Sequence, residues 1–448
     1  MKTLVTPKKQ ARTGQGPKVA LISLGCPKNT VDSEAMLGLL SRAGFRVGSQ
    51  PDKAEIIIVN TCGFIGPAKE ESIDAILEAG RLRTDGPCRK LIVAGCLAER
   101  YREELKKELI EVDDFLGIHE LTKIVQLAGG RTTGIPTLTR NGVLPRTLST
   151  PPAMAYLKIS EGCDNRCGYC AIPMIRGSLR SRPPAAIIKE AKKLAGDGVI
   201  ELTLVAQDST SYGLDLDPQV RLGDLLSEIN RIRRLRWIRL LYLHPARVNR
   251  KLLDRLQTQP KVCAYFDIPF QHVSGAILRK MGRPGSGELY LKKIEMVRET
   301  FPRSVIRSSF IIGFPGEDRS VFSELLAFLK AAKLDYAGAF LYSPEEGTKT
   351  YALGDPVSKR TKERRWHRFM QLQAEITAER NEARVGTIED VLVEHRVKEK
   401  PGWLAGRTRG QAPEIDGVTY FQGPARPGTL VRTKIIGADV YDLIGRVL

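Results

Sequence analysis

Cys163, Cys167 and Cys170 stand at intervals of four and three within EGCDNRCGYC (161–170), and no other stretch so narrows what the chain can become. Thiolates this close on a loop can converge on one inorganic centre, because soft sulfur selects zinc, copper or iron-sulfur centres over hard oxygen-seeking ions. A structural zinc ion takes four ligands. Glu161 or Asp164 could supply one, but no fourth Cys or His follows at finger-like spacing. A 4Fe-4S cube held by three cysteines keeps one iron open, as a catalytic cluster requires. Gly162 and Gly168 give the loop the freedom to wrap such a body. The plainer reading is a free-thiol group or a zinc knuckle.

A second triplet emerges from the rhythm of residues 18–130. Short apolar runs at 18–24, 55–59 and 90–95, with a fourth at 114–117, alternate with helix-like segments at 33–41, 67–79 and 98–109. That alternation predicts an open parallel α/β sheet. Cys26, Cys62 and Cys96 each fall just past one of the first three runs, so all three sit at the carboxyl edge of one sheet, where such sheets bind ligands. Each has a glycine beside it. Cys88 enters the third strand from the opposite edge and cannot join them, and Cys263, inside an apolar strand, reads as a small core residue. A second cluster is the sharper reading, and an oxidatively labile zinc site the other.

Residues 131–153 mix Pro, Gly and Thr without a period and read as a linker. From 154 to 357 the chain repeats strand and helix, with strands at 154–160, 200–206, 237–243, 262–268, 305–313 and 335–342, which predicts a (β/α)6 partial barrel with its chemistry at the strands' carboxyl ends. Those ends supply Gln207, Asp208 and Ser209, able to bond a ribose or an amino-acid head, and Arg247, a carboxylate clamp or equally a structural ion pair. They also supply Gln271 and His272 beside Phe270, and Ser309 with the tight turn of Gly313, Gly316 and Glu317. His272, one of only five histidines, is either functional or a satisfied polar group. Residues 358–383 form a long basic-amphipathic helix. Five short strands in 384–448 predict a small OB-like β-barrel.

The net charge of +19 implies an anionic partner, such as RNA or a protein embedded in RNA. Basic blocks at 231–239 and 359–369 carry part of it and read equally well as solvated faces. The last module counts ten Lys plus Arg against eight Asp plus Glu, which favours a basic protein partner over naked tRNA. Eight cysteines are too few for a disulfide scaffold and point to a reducing compartment. No apolar stretch reaches 18 residues, and the basic start, MKTLVTPKKQARTGQGPK, lacks an apolar signal core and reads as a disordered arm. A cytoplasmic protein without a membrane contact is expected.

The CxxxCxxC run resembles the signature of the radical S-adenosylmethionine superfamily. Together with SLGCPKNTVDSE, VNTCGFI and VAGCLAERY, it resembles the methylthiotransferases within that superfamily. The resemblance spans 18–448. The terminal strands resemble the family's TRAM module, and GFPGE resembles a recurrent element of these radical enzymes. Pro27 after the first cysteine, DIPFQHVS and GADVYDLIGRV resemble the branch acting on an aspartate of ribosomal protein uS12, not the branch acting on adenosine 37 of tRNA. Thr30, Phe270 and Val273 depart from that pattern.

The resemblance implies catalytic, metal-binding cysteines in two 4Fe-4S clusters, one on Cys26, Cys62 and Cys96 and the other on Cys163, Cys167 and Cys170. It also implies S-adenosylmethionine as methyl donor and radical source. Gln207, Asp208, Ser209, Arg247, Ser309, Gly313 and Glu317 become candidate contacts for it. An electron donor or reductase, a sulfur source or carrier, uS12 free or in the small ribosomal subunit, and a contact with ribosomal RNA complete the expected partners. The implied reaction places sulfur, methylated by one S-adenosylmethionine, on the β-carbon of the target aspartate after a radical from a second has removed hydrogen there. An unactivated C–H bond lies beyond side-chain acid-base chemistry, so the cofactors must carry that step. The alternatives are the tRNA enzyme and a non-catalytic, metal-containing RNA- or ribosome-binding protein.

Overall fold

The computed structural model describes residues 3–5, 15–131, 143–216 and 220–448. The chain divides into two compact units: Met1–Thr150, Tyr156–Asp164 and Cys170–Glu190 form the first, and Pro151–Ala155, Asn165–Tyr169 and Ala191–Leu448 the second.

The first unit is built on β1 (Thr3–Leu4), β2 (Lys18–Ser23), α1 (Pro27–Arg42), β3 (Arg46–Val47), β4 (Ile56–Thr61), α2 (Gly66–Asp85), β5 (Lys90–Gly95), α3 (Cys96–Arg100), α4 (Arg102–Glu108), β6 (Asp114–Leu116) and α5 (Ile124–Leu127). The sheet order is β1-β2-β4-β5-β6, with β3 also on β2, and every pairing but that of β1 is parallel. Alternate strand residues serve two cores, which is why the strands read as unbroken apolar runs. Val19, Leu21, Ile56, Ile58 and Ile92 pack with Met36, Leu37 and Leu40 of α1. Ala20, Ile22, Ile57, Val59, Leu91 and Val93 pack with Ala75, Ile76 and Ala79 of α2 on the other face. Cys88 is buried in this second core.

Three expectations need correction here. The N-terminal arm is not wholly free: Thr3 pairs with Ser23 and Leu4 with Ile22, and Val5 N–H donates to Leu21 O at 2.9 Å, covering what would otherwise be an open edge. The rest of the arm, 1–2 and 6–14, lies outside the described residues. The helix expected over 98–109 is two helices, because Tyr101 leaves helical geometry at φ −129°, ψ 32°. The apolar spacing continues across that bend, so the sequence pattern cannot reveal it. The expected linker is a tether over its described end. Arg146 is buried between Glu34 (2.6 Å) and Glu190 (2.8 Å), and Ser149 N–H donates to Glu34 at 2.7 Å. Residues 132–142 lie outside the described residues.

The chain continues through β7 (Met154–Lys158), β8 (Ser160–Glu161), α6 (Ile172–Arg176), β9 (Arg180–Ser181), α7 (Pro184–Gly196), β10 (Glu201–Val205), α8 (Leu222–Asn230), β11 (Trp237–Leu240), α9 (Arg250–Gln257), β12 (Tyr265–Asp267), α10 (Gly275–Lys280), α11 (Gly287–Thr300), β13 (Val305–Ile312), α12 (Arg319–Ala332) and β14 (Tyr336–Leu341). One three-stranded sheet runs β11-β10-β7 and another β12-β13-β14, linked by a parallel bridge between Ile238 and Val262. This is the six-stranded partial barrel, with the strand expected over 262–268 shortened to three regular residues. Cys263 is buried within it. The helix α10 was not foreseen; it follows the polar QHVS run, which reads as loop.

The helix α13 (Lys359–Glu382) leads to β15 (Ile388–Arg396), β16 (Trp403–Thr408), β17 (Thr419–Gln422), β18 (Leu430–Ala438) and β19 (Leu443–Val447), a closed barrel in the order β15-β16-β17-β19-β18. It seats on the amino-terminal halves of the central strands. Arg407 reaches Glu201 at 2.7 Å, Glu201 accepts from Arg239 at 2.9 Å, and Tyr265 donates to Asp416 at 2.6 Å. Both basic blocks are divided in use. Arg231, Arg233, Arg234 and Arg236 are exposed, as are Arg360, Arg364 and Arg368, while Arg239, Lys362 and Arg365 are held in ion pairs with Glu201, Asp355 and Glu317.

Candidate iron-sulfur sites

At the carboxyl edge of the first sheet, Cys26 takes the position just before α1, where Pro27 starts the first turn and Cys26 O accepts from Asn29 N–H at 2.8 Å. Cys62 follows β4 directly and Cys96 opens α3. The three loops touch. A Cβ added to Gly25 would lie 3.3 Å from Cys62 Sγ, and one added to Gly63 would lie 2.9 Å from Leu97 Cα, so larger residues would force the cysteines apart.

Burial alone raises the Cys26 thiol, but Lys28 and Arg176 outweigh it and hold it below the ordinary range. Burial, and then the neighbouring Cys96 and Cys26, push Cys62 up to about 12. Burial also raises Cys96, against the pull of Arg176. None of the eight cysteines is joined in a disulfide. Among the described residues no three Cys, His, Asp or Glu side chains crowd one point as ligands to a single ion do. The cysteines of a cube each take a separate iron and so stand apart. An all-sulfur donor set at a sheet edge fits such a cluster.

Sequence reasoning missed the residues that surround these sulfurs. Asn29 donates to Leu24 O and Thr61 O, each at 2.9 Å, and knits the first loop to the end of β4. Its Oδ1 accepts from Arg176 Nη2 at 2.7 Å, and the same Nη2 lies 3.3 Å from Cys96 Sγ. Arg176 ends α6, beyond the cysteine loop. Nothing in its local spacing announces a partner eighty residues away.

The second triplet lies on the loop after β8. In the first unit, Cys163 N–H donates to Gly177 O at 3.1 Å, and Asp164 accepts from Leu179 N–H at 3.0 Å. In the second unit, residues 165–169 are pinned from several sides. Gly168 N–H donates to Met281 O at 2.8 Å, Gly168 O accepts from Thr350 N–H at 3.0 Å, and Asn165 donates to Asp208 at 2.7 Å. Arg283 Nη1 lies 3.4 Å from Cys167 Sγ. Its Nη2 donates to Pro269 O at 2.8 Å.

The expected cofactor contacts separate. Asp208 and Arg247 come together at 2.8 Å, and Arg247 also donates to Asn165 at 3.1 Å. Burial raises the Asp208 carboxyl, but bonds from Thr210, Ser211 and Asn165 and the charge of Arg247 bring it below its ordinary value. Gln207 is half-buried beside this group, while Ser209 is buried and donates to Leu241 O at 2.6 Å. Ser309 is half-buried on β13.

Glu317 is spent within the chain, accepting from Gly313 N–H at 3.0 Å and Arg365 at 2.8 Å, with His272 Nε2 at 3.3 Å. It closes the GFPGE turn from inside, and His272 is a buried part of that closure. A Cβ at Gly313 would strike the Lys362 stem at 2.4 Å, so this glycine makes room for a lysine.

Three family descriptions match in succession: "Uncharacterized protein family UPF0004" over residues 18–117, "Radical SAM superfamily" over 157–329 and "TRAM domain" over 385–448. Among curated proteins, the ribosomal protein uS12 methylthiotransferase RimO of Symbiobacterium thermophilum is 44% identical over 443 residues, covering 96% of this chain and 91% of the relative. The enzyme of that name from Desulforudis audaxviator is 46% identical, covering 97% and 98%. Among solved structures, the radical S-adenosylmethionine methyltransferase TsrM of Kitasatospora setae superposes with a TM-score of 0.51 at 15% identity, covering 87% of this chain and 81% of that one, a likeness of fold alone. With relatives so similar along almost its whole length, the chain belongs to the ribosomal protein uS12 methylthiotransferase family of the radical S-adenosylmethionine superfamily.

Proposed function

We propose that this chain transfers a methylthio group to the β-carbon of an aspartate in ribosomal protein uS12. The observation that carries the reading is the meeting of the Cys26, Cys62 and Cys96 loops at one sheet edge, in a chain that also holds the CxxxCxxC loop. Each triplet holds a 4Fe-4S cluster in this proposal. When bound, the clusters and S-adenosylmethionine supply the radical that opens the C–H bond and the sulfur and methyl group that replace its hydrogen.

The chain's own part is to place and to shield. Asn165 and Gly168 pin the radical loop, while Asp208 and Arg247, with Gln207 just past β10 and Ser309 on β13, orient the cofactor's polar groups. Gly313 and Glu317 give that mouth its shape. The division of labour follows 18–130 for the first cluster, 154–357 for radical generation and 384–448 for the partner, joined by 131–153 and 358–383. A sulfur carrier and a reductase serve it in the cytoplasm. No helix among the described residues is long and apolar enough to cross a membrane.

Anaerobically reconstituted chain should hold about eight irons, two cubes of four. Incubated with reductant, S-adenosylmethionine and a sulfur source, it should release 5'-deoxyadenosine and add one methylthio group to an aspartate of uS12, read by mass spectrometry. Modification of tRNA alone would overturn the choice of acceptor. Four irons, or stoichiometric zinc, would overturn the two-cluster assignment.

A further inference from the structure

Arg176 occupies a place that placing and shielding do not account for. Its guanidinium is 1% exposed and faces two ways within the first unit. On one side Nη2 meets Cys96 Sγ at 3.3 Å and Asn29 Oδ1 at 2.7 Å. On the other, Nη1 meets Glu161 Oε1 at 2.8 Å, two residues before Cys163. Asp32 lies 3.4 Å from Nη2, and Lys158 bonds both Asp32 and Glu161, its contact with Glu161 being 2.7 Å. Two cations and two carboxylates therefore balance one another. The Cys96 sulfur is the additional acceptor to which the arginine is aimed.

We propose that Arg176 is a positioning residue that couples the two cysteine triplets, stabilising the reduced state of the group held by Cys26, Cys62 and Cys96 and fixing the approach to Cys163 through Glu161. The argument has three steps. Hydrogen bonds to the ligand sulfurs and local charge set the potential of an iron-sulfur cluster. A cationic donor on a ligand sulfur favours the form carrying the additional electron, so it raises the potential. Burial keeps that interaction strong, since water does not screen it. Asn29 holds the guanidinium in line, being itself fixed to Leu24 O and Thr61 O. The same guanidinium grips Glu161, so a change of charge at the first triplet is felt at the residue that leads into the second.

This inference rests on the two-cluster reading, and its test separates the two failures. Iron content and EPR-monitored redox titration are measured on the full, anaerobically reconstituted chain, as wild type, Arg176→Gln and Arg176→Lys. In Arg176→Gln the first cluster should keep its iron, titrate at a lower potential and show an altered EPR signal. Arg176→Lys, which keeps the charge but cannot span both partners, should lie between. Glu161→Gln, which leaves the donor to Cys96 in place, should alter the EPR signal of the cluster on Cys163, Cys167 and Cys170. If Arg176→Gln loses its iron, Arg176→Lys decides. Unchanged potentials and spectra in the iron-bearing variants would overturn the coupling while sparing the clusters. A wild-type chain without two clusters would overturn both readings.

Discussion

Gly95 ends β5 directly before Cys96 with φ +96°, and a Cβ there would fall 2.3 Å from Asn60 Oδ1 and 2.6 Å from Thr61 O. An alanine must therefore adopt a left-handed backbone at a cost of about 1 kcal/mol or more and also push against β4. Because Cys96 is the next residue, the strain falls on a cysteine proposed to hold the first cluster. Gly95→Ala should lower the melting temperature by a few degrees and roughly halve the bound iron, with the radical cluster retained; iron analysis against wild type reads it. The six cysteines were legible because their signal is local: one triplet is close in sequence, and the other repeats a position relative to successive strands. Arg176 and Arg283 were not legible. Their partners Cys96 and Cys167 lie far off in sequence, and one arginine among seventy Lys and Arg carries no mark of burial. Asp208 and Arg247 were read singly, and only the structure shows them as a pair.

At the scale of elements, the two-faced strands of the first sheet were readable because burial on both sides leaves an apolar run with sharp ends. The segment after residue 142 was misread for the opposite reason. Its composition is that of a loop, and the residue that fixes it is a cation. Arg146 is 3% exposed and lies between Glu34 and Glu190, with a further bond to Tyr156 O at 2.8 Å. Removing Arg146 leaves Glu34 buried without a counter-charge, while Glu190 keeps Arg182 at 2.6 Å, and should cost about 3–5 kcal/mol. Arg146→Met should consequently lower the melting transition of the first unit strongly. It should also expose the 143–150 segment to proteolysis, whereas an arginine on a free linker would change neither. Exposed pairs such as Lys106 with Glu103 provide the contrast, since water screens them and holding two long side chains in one geometry offsets the attraction.

At the scale of the whole molecule, the charge of +19 marks no single groove, because some of its arginines are structural. Arg407 and Arg239 close on Glu201, and Arg407 also meets Glu394 at 2.7 Å, so the C-terminal barrel is seated through a buried network at the amino-terminal halves of the central strands. Burial raises the Glu201 carboxyl, but Arg407 and Arg239 outweigh it and hold it below the ordinary range. A carboxyl whose pKa is lower folded than unfolded lends stability that is complete above the unfolded value of about 4.3 and is lost as the pH falls through the folded value. The wild-type transition should therefore hold its place, as far as this group is concerned, from neutral pH down to about pH 5 and then decline with acid. Arg407→Met at neutral pH removes the cation from Glu394 and leaves Glu201 with Arg239 alone, and should cost about 3–5 kcal/mol, on the order of ten degrees in melting temperature. Limited proteolysis should then release the barrel early. Replacing Glu201, Arg239, Arg407 and Glu394 together by apolar residues of similar volume removes the buried charges in balance. That variant should recover most of the loss and show a shallower decline in acid. If Arg407→Met melts like wild type, the network does not seat the barrel.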